Sequence, residues 1–183
     1  ALGNEDSDLV TKLEFAFIDE IAPSGTAGGL VKALQADLVD KTRPILVMQG
    51  DAVPNANLTY LLNAHQPHAC ATLGLKTVGD DDVSKMAMVT LGNGSPAAPV
   101  LSYVEKPPLA EAGPGRLGSI GFYVIAPHAY DGFIDQGFAR WQNAPDFDYA
   151  LHYFPWLLQS GQQLMGCPLP EPFYWSDIGQ PLD

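Results

Sequence analysis

The chain contains a continuous apolar run from Pro44 to Met48. A short run of this kind, without polar alternation, is typical of a parallel strand that is covered on both faces of a sheet. It stops at Gly50-Asp51 and lies between two segments with helical character, Leu30 to Leu38 and Asn57 to Leu62. Ala69 to Lys76 has the pattern of the next strand. This alternation of strand and helix predicts an α/β fold.

The second half of the chain is richer in strands. Three strand patterns follow one another with turn residues between them: Ala87 to Leu91, Val100 to Glu105 and Gly121 to Ile125. Two amphipathic helices are predicted after them, at Pro127 to Ile134 and Asp148 to Leu158. A further strand is predicted near the beginning, from Leu13 to Ile18. We therefore expect a mixed central sheet that is mostly parallel.

The composition limits the size and the partners of the protein. The 183 residues, 46% of them hydrophobic, fit one domain with a sizeable core. Nine Lys and Arg face 21 Asp and Glu, and the formal charge of -12 disfavours broad attraction to nucleic acid or to an anionic membrane. A few local cations can still bind small phosphorylated substrates. We expect no nucleic-acid partner and no membrane partner.

The sequence also bears on the compartment. No stretch approaches the ~20 apolar residues of a membrane span, and no basic-then-apolar leader opens the sequence. Cys70 and Cys167 lie in apolar stretches without metal-binding spacing, which indicates two reduced core thiols rather than a disulfide. These features predict a soluble protein of the cytoplasm.

Two aspartates follow strand patterns. Asp51 comes directly after the apolar run and a glycine, and Asp177 follows the aromatic run Phe173-Tyr174-Trp175. Open α/β sheets bind ligands at the carboxyl ends of their strands. Two such carboxylates can share one hard cation such as Mg²⁺, which favours one or two carboxylates together with substrate phosphates. An ordinary turn aspartate that closes the strand is the alternative for Asp51.

Glu105-Lys106-Pro107 ends another predicted strand. Pro107 favours an extended conformation for the residue before it, which places Lys106 at a sheet edge rather than in a helix. A lysine there can meet a phosphate as a point charge, and the carboxylate of Glu105 is a good acceptor for sugar hydroxyls. An ordinary solvated ion pair is the alternative.

The loop Gly25-Thr26-Ala27-Gly28-Gly29 can admit a flat base or a phosphate close to its backbone, because glycine adds no side-chain bulk. It is not a P-loop, since Lys32 is followed by Ala33 rather than by Ser or Thr, and it is not the dinucleotide fingerprint. A loop that only begins a helix is the alternative.

Five motifs follow one another along the chain: Gly25 to Leu30, Ile45 to Asp51, Tyr103 to Pro107, Gly121 to Val124 and Trp175 to Pro181. In this order they resemble the sugar-1-phosphate nucleotidylyltransferases, and most of all the mannose-1-phosphate guanylyltransferase and glucose-1-phosphate branches. The resemblance covers nearly the whole chain. It implies a Rossmann-like nucleotide-diphospho-sugar transferase fold, as one nucleotidyl transferase domain over residues 1–183.

The resemblance also implies an activity and the residues that carry it. In this family a hexose 1-phosphate attacks the α-phosphate of a nucleoside triphosphate, and pyrophosphate leaves. Asp51 and Asp177 are implied to hold Mg²⁺, and Lys106, the third implied catalytic residue, contacts the sugar phosphate. Glu105 is implied to bind hexose hydroxyls, and Gly121 to bring its backbone near the sugar. The residues implied to line the base pocket are Gly25, Thr26, Ala27 and Gly28.

Mannose 1-phosphate with GTP is the first substrate pair that the resemblance suggests, and a homo-oligomer is compatible with it. The family's chains open with a glycine-rich G-x-G-T-R loop that binds the triphosphate and continue beyond the position of Asp183, so we expect a domain incomplete at both ends. A non-catalytic module that binds a sugar nucleotide or another subunit is therefore the alternative function. A metal-dependent glycosyltransferase would need an Asp-x-Asp element, which is absent around Asp51.

Overall fold

A computed structural model of the protein describes residues 14–20, 22–113, 115–141 and 146–179. The α-helices in these ranges are α1 (Gly28–Gln35), α2 (Leu58–Ala64), α3 (Tyr130–Trp141) and α4 (Phe154–Gln159). The strands are β1 (Ile45–Met48), β2 (Ala52–Pro54), β3 (Ala71–Thr77), β4 (Met88–Leu91), β5 (Ala98–Val104), β6 (Leu117–Ile125), β7 (Leu164–Pro168) and β8 (Trp175–Asp177). Short 3₁₀ segments cover Asp80–Lys85, Leu109–Glu111 and Pro127–Ala129, and a π-helical turn, Tyr149–Tyr153, leads into α4. Within the same ranges, no helix has the length and apolar character that crossing a membrane requires.

Six strands form one sheet in the order β1-β6-β3-β7-β5-β4, and β6 pairs with β4 as well. The long strand β6 organises this sheet, because it runs antiparallel to β1, β3 and β4. Among the described strands, β3 and β7 form the one parallel pair. β2 and β8 form a separate antiparallel ribbon.

The expectation of a mixed sheet is confirmed, but the expectation that it is mostly parallel is wrong for the described strands. Ile45 to Met48 is a strand, as predicted, yet it runs antiparallel to β6, with Met48 opposite Phe122. A continuous apolar run indicates that both faces of a strand are covered, and it carries no information about the direction of the neighbouring strand. Side chains of β1 pack against the hydrophobic clusters on both sides of the sheet, which explains the run without parallel pairing.

The hydrophobic core lies on both faces of the sheet. Along β6, Tyr123 belongs to one cluster and Phe122 to the other, because successive side chains of a strand point to opposite faces. Cys70 lies in the first cluster and Cys167 in the second, and both thiols are free and buried, as predicted. The first cluster is rich in aromatic side chains from α3, α4 and the segment between them: Phe133, Phe147, Tyr149, Tyr153 and Phe154.

The predicted strand from Leu13 to Ile18 is wrong over its described residues, 14–18, while Leu13 itself lies outside them. This segment has no regular structure, and Phe15 and Phe17 are 66% and 86% exposed. An apolar pattern gives a stable strand only where other strands supply a hydrogen-bonding partner and a face to pack against. None of the described strands pairs with this segment.

Candidate substrate-binding site

A cavity of about 730 Å³ gathers residues from distant parts of the chain. Its walls come from the carboxyl ends of β1 and β5, from β6 and β8, and from the π-helical turn before α4. Six of the residues singled out in the sequence line it: Thr26, Asp51, Glu105, Lys106, Gly121 and Asp177. Seven polar residues that the sequence did not single out for the site also line it: Gln49, Lys85, Tyr103, Ser119, Tyr123, Asp148 and Tyr149.

Asp51 and Asp177 meet at one end of the β2–β8 ribbon. Asp177 pairs with Ala52, and the Ile178 N–H donates to the carbonyl oxygen of Asp51 at 2.8 Å. A methyl group built on Gly179 would lie 2.9 Å from Asp51 Oδ2 and 3.1 Å from Asp177 Oδ1, so the two carboxylates flank the same point. The fold therefore brings together two aspartates that the sequence placed at separate strand ends.

This pair of carboxylates has the chemistry that a Mg²⁺ ion requires. Both side chains are exposed at the cavity, and Mg²⁺ prefers hard oxygen ligands while keeping several positions for water and substrate phosphates. Within the described ranges, no group of three or more His, Cys, Asp and Glu side chains could hold a metal ion. Two carboxylates are enough for a Mg²⁺ site whose remaining ligands are water and substrate phosphates. The binding of Mg²⁺ here stays a prediction.

Glu105 and Lys106 lie side by side in the cavity, with Lys106 Nζ 3.7 Å from Glu105 Oε1. Burial raises the pKa of the Glu105 carboxyl; the charge of Lys106 opposes this shift, and the charge of Asp148 adds to it. A carboxylate that is withdrawn from water in this way is stabilised by ligand hydroxyls that donate to it. The geometry is therefore compatible with the hydroxyl-binding role predicted for Glu105.

The backbone of Lys106 is not extended, contrary to the expectation from the proline that follows it. Its φ is +44°, in the left-handed region, and its N–H donates to the Met86 carbonyl at 3.2 Å. This hydrogen bond continues the β4–β5 ladder past Val104, which is paired with Met88, before the chain turns away. Pairing between strands therefore outweighs the local preference of a residue before proline.

Part of the glycine-rich loop packs in the hydrophobic core, and part of it lines the cavity. Gly25 has a φ of +82°, and any side chain on it would collide with the backbone of Phe147. Two hydrogen bonds join the loop to that segment, from the Ala27 N–H to the Phe147 carbonyl at 2.8 Å and from the Phe147 N–H to the Ser24 carbonyl at 2.9 Å. Of Gly25, Thr26, Ala27 and Gly28, only Thr26 lines the cavity. The base-binding role of this loop stays a prediction.

Asp148 is a polar residue of the cavity that the sequence reasoning missed. Its Oδ2 accepts a hydrogen bond from Thr26 Oγ1 at 2.7 Å, and its Oδ1 accepts from the N–H groups of Ala150 and Leu151 at 2.7 and 2.9 Å. The Tyr149 N–H in turn donates to Thr26 Oγ1 at 3.2 Å. An aspartate directly before a helical pattern is a helix-capping signal, and that signal marked the position without revealing its contact with Thr26.

Gly121 allows the backbone of β6 to approach β1 closely within the cavity. Its φ is +79°, and a methyl group built on it would lie 2.6 Å from Gln49 Oε1. The Gln49 N–H donates to the Gly121 carbonyl at 3.1 Å. A side chain at this position would displace Gln49, so the glycine has a structural role beside the sugar-binding role predicted for it.

Carboxylates outnumber lysines in this cavity. Among the described residues that line it, Lys85 and Lys106 are the cations, and the carboxylates are Asp51, Glu105, Asp148 and Asp177. Burial raises the pKa of the phenols Tyr103 and Tyr123, which therefore stay protonated and can donate hydrogen bonds. A phosphorylated ligand consequently depends on a few positive groups and neutral donors close to it.

Comparisons with known proteins agree on one family. The sequence model of the nucleotidyl transferase family matches residues 4–183. A probable mannose-1-phosphate guanylyltransferase 3 from Arabidopsis thaliana is 27% identical over 172 residues, which cover 94% of this chain and 46% of the relative. The chain thus spans about half the length of that curated relative.

Solved structures share the fold. An apo UDP-glucose pyrophosphorylase has a TM-score of 0.73 at 15% identity, over 96% of this chain and 63% of the other. A UDP-glucose pyrophosphorylase complexed with UDP-glucose has a TM-score of 0.69 at 16% identity, over 95% and 64%. A UTP-bound enzyme of the same kind from Acinetobacter baumannii has a TM-score of 0.65 at 17% identity, over 96% and 62%. The described residues therefore share the fold of these UDP-glucose pyrophosphorylases.

Proposed function

The chain belongs to the nucleotidyl transferase family, and on that premise we propose that the protein transfers a nucleotidyl group from a nucleoside triphosphate to a hexose 1-phosphate. The products are a nucleoside diphosphate sugar and pyrophosphate. We propose mannose 1-phosphate and GTP as the first substrate pair, because the curated relative with that name is more similar in sequence than the UDP-glucose pyrophosphorylases. Glucose 1-phosphate with UTP is the second pair to test.

The meeting of Asp51 and Asp177 is the observation that supports this proposal most strongly. The two carboxylates come from strands far apart in the sequence and flank one point at the cavity. Lys106 and Glu105 line the same cavity. Carboxylates that can coordinate a cation or accept hydrogen bonds from hydroxyl groups therefore lie in the same cavity as a lysine that can bind a phosphate. A phosphorylated sugar requires this combination of groups.

In the proposed reaction, the residues of this chain position the sugar phosphate and balance its charge. Glu105 accepts hydrogen bonds from hexose hydroxyls, and Lys106 binds the phosphate whose oxygen attacks the triphosphate. The protonated phenols of Tyr103 and Tyr123 add neutral donors at the cavity wall. The nucleophile is already an anion, so the rate gain in such a transfer comes from orientation and charge stabilisation.

Asp51 and Asp177 are the residues that would hold Mg²⁺. The ion, when bound, would neutralise negative charge on the phosphate oxygens. The carboxylates themselves repel a phosphate, so their position at the cavity favours ligands only together with a cation. Binding of phosphorylated ligands should therefore require a divalent cation.

The test is calorimetric titration of the chain with GTP, GDP-mannose, UTP and UDP-glucose, each with Mg²⁺ and with EDTA. We expect Mg²⁺-dependent binding of at least one sugar nucleotide, with GDP-mannose preferred. The release of pyrophosphate from GTP and mannose 1-phosphate is measured in the same preparation. Binding of GDP-mannose without binding of GTP would favour the non-catalytic alternative, and binding of neither sugar nucleotide would refute the proposal.

A further inference from the structure

Lys85 is a cation of the cavity to which neither the sequence motifs nor the proposed function gives a role. It ends the 3₁₀ segment Asp80–Lys85 and lines the cavity together with Lys106. The residue after it, Met86, accepts the hydrogen bond from the Lys106 N–H at 3.2 Å. Lys85 therefore lies shortly before β4 and Lys106 shortly after β5, at the same end of this antiparallel pair.

The present partner of Lys85 holds it weakly. Its Nζ lies 3.0 Å from Asp82 Oδ1, and the two side chains are 66% and 50% exposed. An exposed ion pair three residues apart contributes little to stability, because water screens both charges. A phosphate that enters the cavity can compete with Asp82 at little cost.

Lys85 is one of few positive charges in a cavity that is rich in carboxylates. Four carboxylates face two lysines among the described lining residues, and the whole chain carries -12. Asp51 and Asp177 lie at one end of the β2–β8 ribbon, whereas Lys85 and Lys106 lie just beyond one end of the β4–β5 pair. The positive charge of the cavity is therefore concentrated where Lys106 and Glu105 lie.

We propose that Lys85 is a second phosphate-binding residue, which leaves Asp82 and binds, together with Lys106, the phosphate of the hexose 1-phosphate. This inference rests on the proposed function, because it assigns Lys85 to the ligand of that same site. Lys85 acts on binding through its charge, and its contribution falls as ionic strength rises.

The experiment compares Lys85→Met with Lys41→Met as a matched control. Lys41 is also an exposed lysine with a nearby aspartate partner, Asp37, at i,i+4, and it lies outside the lining of the cavity. Calorimetry with Mg²⁺ measures the binding of mannose 1-phosphate, glucose 1-phosphate, free mannose and GTP by the 183-residue chain. Asp82→Asn, which removes the competing carboxylate, is measured in parallel.

We expect Lys85→Met to weaken binding of the hexose 1-phosphate about three- to ten-fold and to leave free mannose unaffected, as loss of one partly exposed charge-assisted contact implies. Lys41→Met should bind as the wild type does, and Asp82→Asn as tightly or more tightly. Equal affinities of Lys85→Met and Lys41→Met would overturn the inference and leave the proposed function intact. A loss confined to GTP would overturn the assignment to the sugar phosphate, and a wild-type chain that binds no phosphorylated ligand would overturn both.

Discussion

Thr26 and Asp148, 122 residues apart in the sequence, are joined by a hydrogen bond of 2.7 Å from Thr26 Oγ1 to Asp148 Oδ2. Both residues line the cavity, and the same aspartate caps the π-helical turn before α4. The glycine-rich loop is thereby tied to the segment before α4, which also lines the cavity. This contact gives the loop a defined position before any ligand arrives.

Thr26→Val should lower the free energy of unfolding by about 1–2 kcal/mol, since it removes one hydrogen bond and leaves the Tyr149 N–H without its acceptor. Urea unfolding followed by circular dichroism measures the change. Thr59→Val is the control, because Thr59 is an exposed residue of α2, where valine has a similar helix propensity. Equal losses in the two variants would mean that the Thr26 hydroxyl does not stabilise the fold.

Gly121→Ala should destabilise the protein by about 1–2 kcal/mol, because a φ of +79° is unfavourable for alanine and the new methyl group would collide with Gln49. Gly29→Ala is the matched control: Gly29 lies in α1, and nothing stands within 4 Å of its added methyl group. Thermal unfolding should show a lower Tm for Gly121→Ala and an unchanged or higher Tm for Gly29→Ala. A neutral Gly121→Ala would argue against the strained approach of β6 to β1.

Asp51→Asn and Asp177→Asn should each weaken Mg²⁺-dependent binding of a sugar nucleotide by at least about tenfold, because an amide is a poorer ligand for a hard cation. Titration with GDP-mannose over a range of Mg²⁺ concentrations measures the effect. Asp135→Asn, at an exposed position of α3, is the control for the loss of one negative charge. If the controls and the site variants behave alike, the two aspartates do not hold the ion.

Glu105→Gln should change how stability depends on pH. Burial raises the pKa of Glu105 from 4.5, so the folded protein binds this proton more tightly than the unfolded chain does. Glu105 therefore contributes a loss of stability as pH rises from the usual glutamate range through its raised pKa, and Glu105→Gln lacks this contribution. The unfolding free energy of Glu105→Gln minus that of the wild type should therefore increase as pH rises through that window.

Urea unfolding of both proteins between pH 4 and pH 8, at about half-unit steps, measures this difference. All other carboxyls are common to the two proteins, so to first approximation their titration cancels in the comparison. A difference that stays constant over the whole window would contradict the effect of burial on Glu105. Glu105→Gln should also bind the hexose less tightly, which separates its role in binding from its cost to stability.

Local patterns in the chain predict most of the helices and strands and several polar residues of the candidate site. The run of Ile45 to Met48 predicted β1, and the helical pattern of Asn57 to Leu62 predicted α2, whose first turn the Asn57 side chain caps by accepting from the Tyr60 N–H at 3.1 Å. Asp51 and Asp177 are predicted at strand ends because each follows a strand pattern. Hydrophobic period and capping are properties of neighbouring residues, so they can be derived from the chain alone.

How these elements meet depends on contacts between distant parts of the chain, which local patterns do not record. The direction of β1 beside β6, the left-handed turn at Lys106 and the contact between Thr26 and Asp148 all depend on residues far away in the sequence. An apolar pattern reports that a face is buried and leaves open what covers it and in which direction the partner runs. The same limit explains why Phe15 has a strand-like pattern around it and still lies outside any strand.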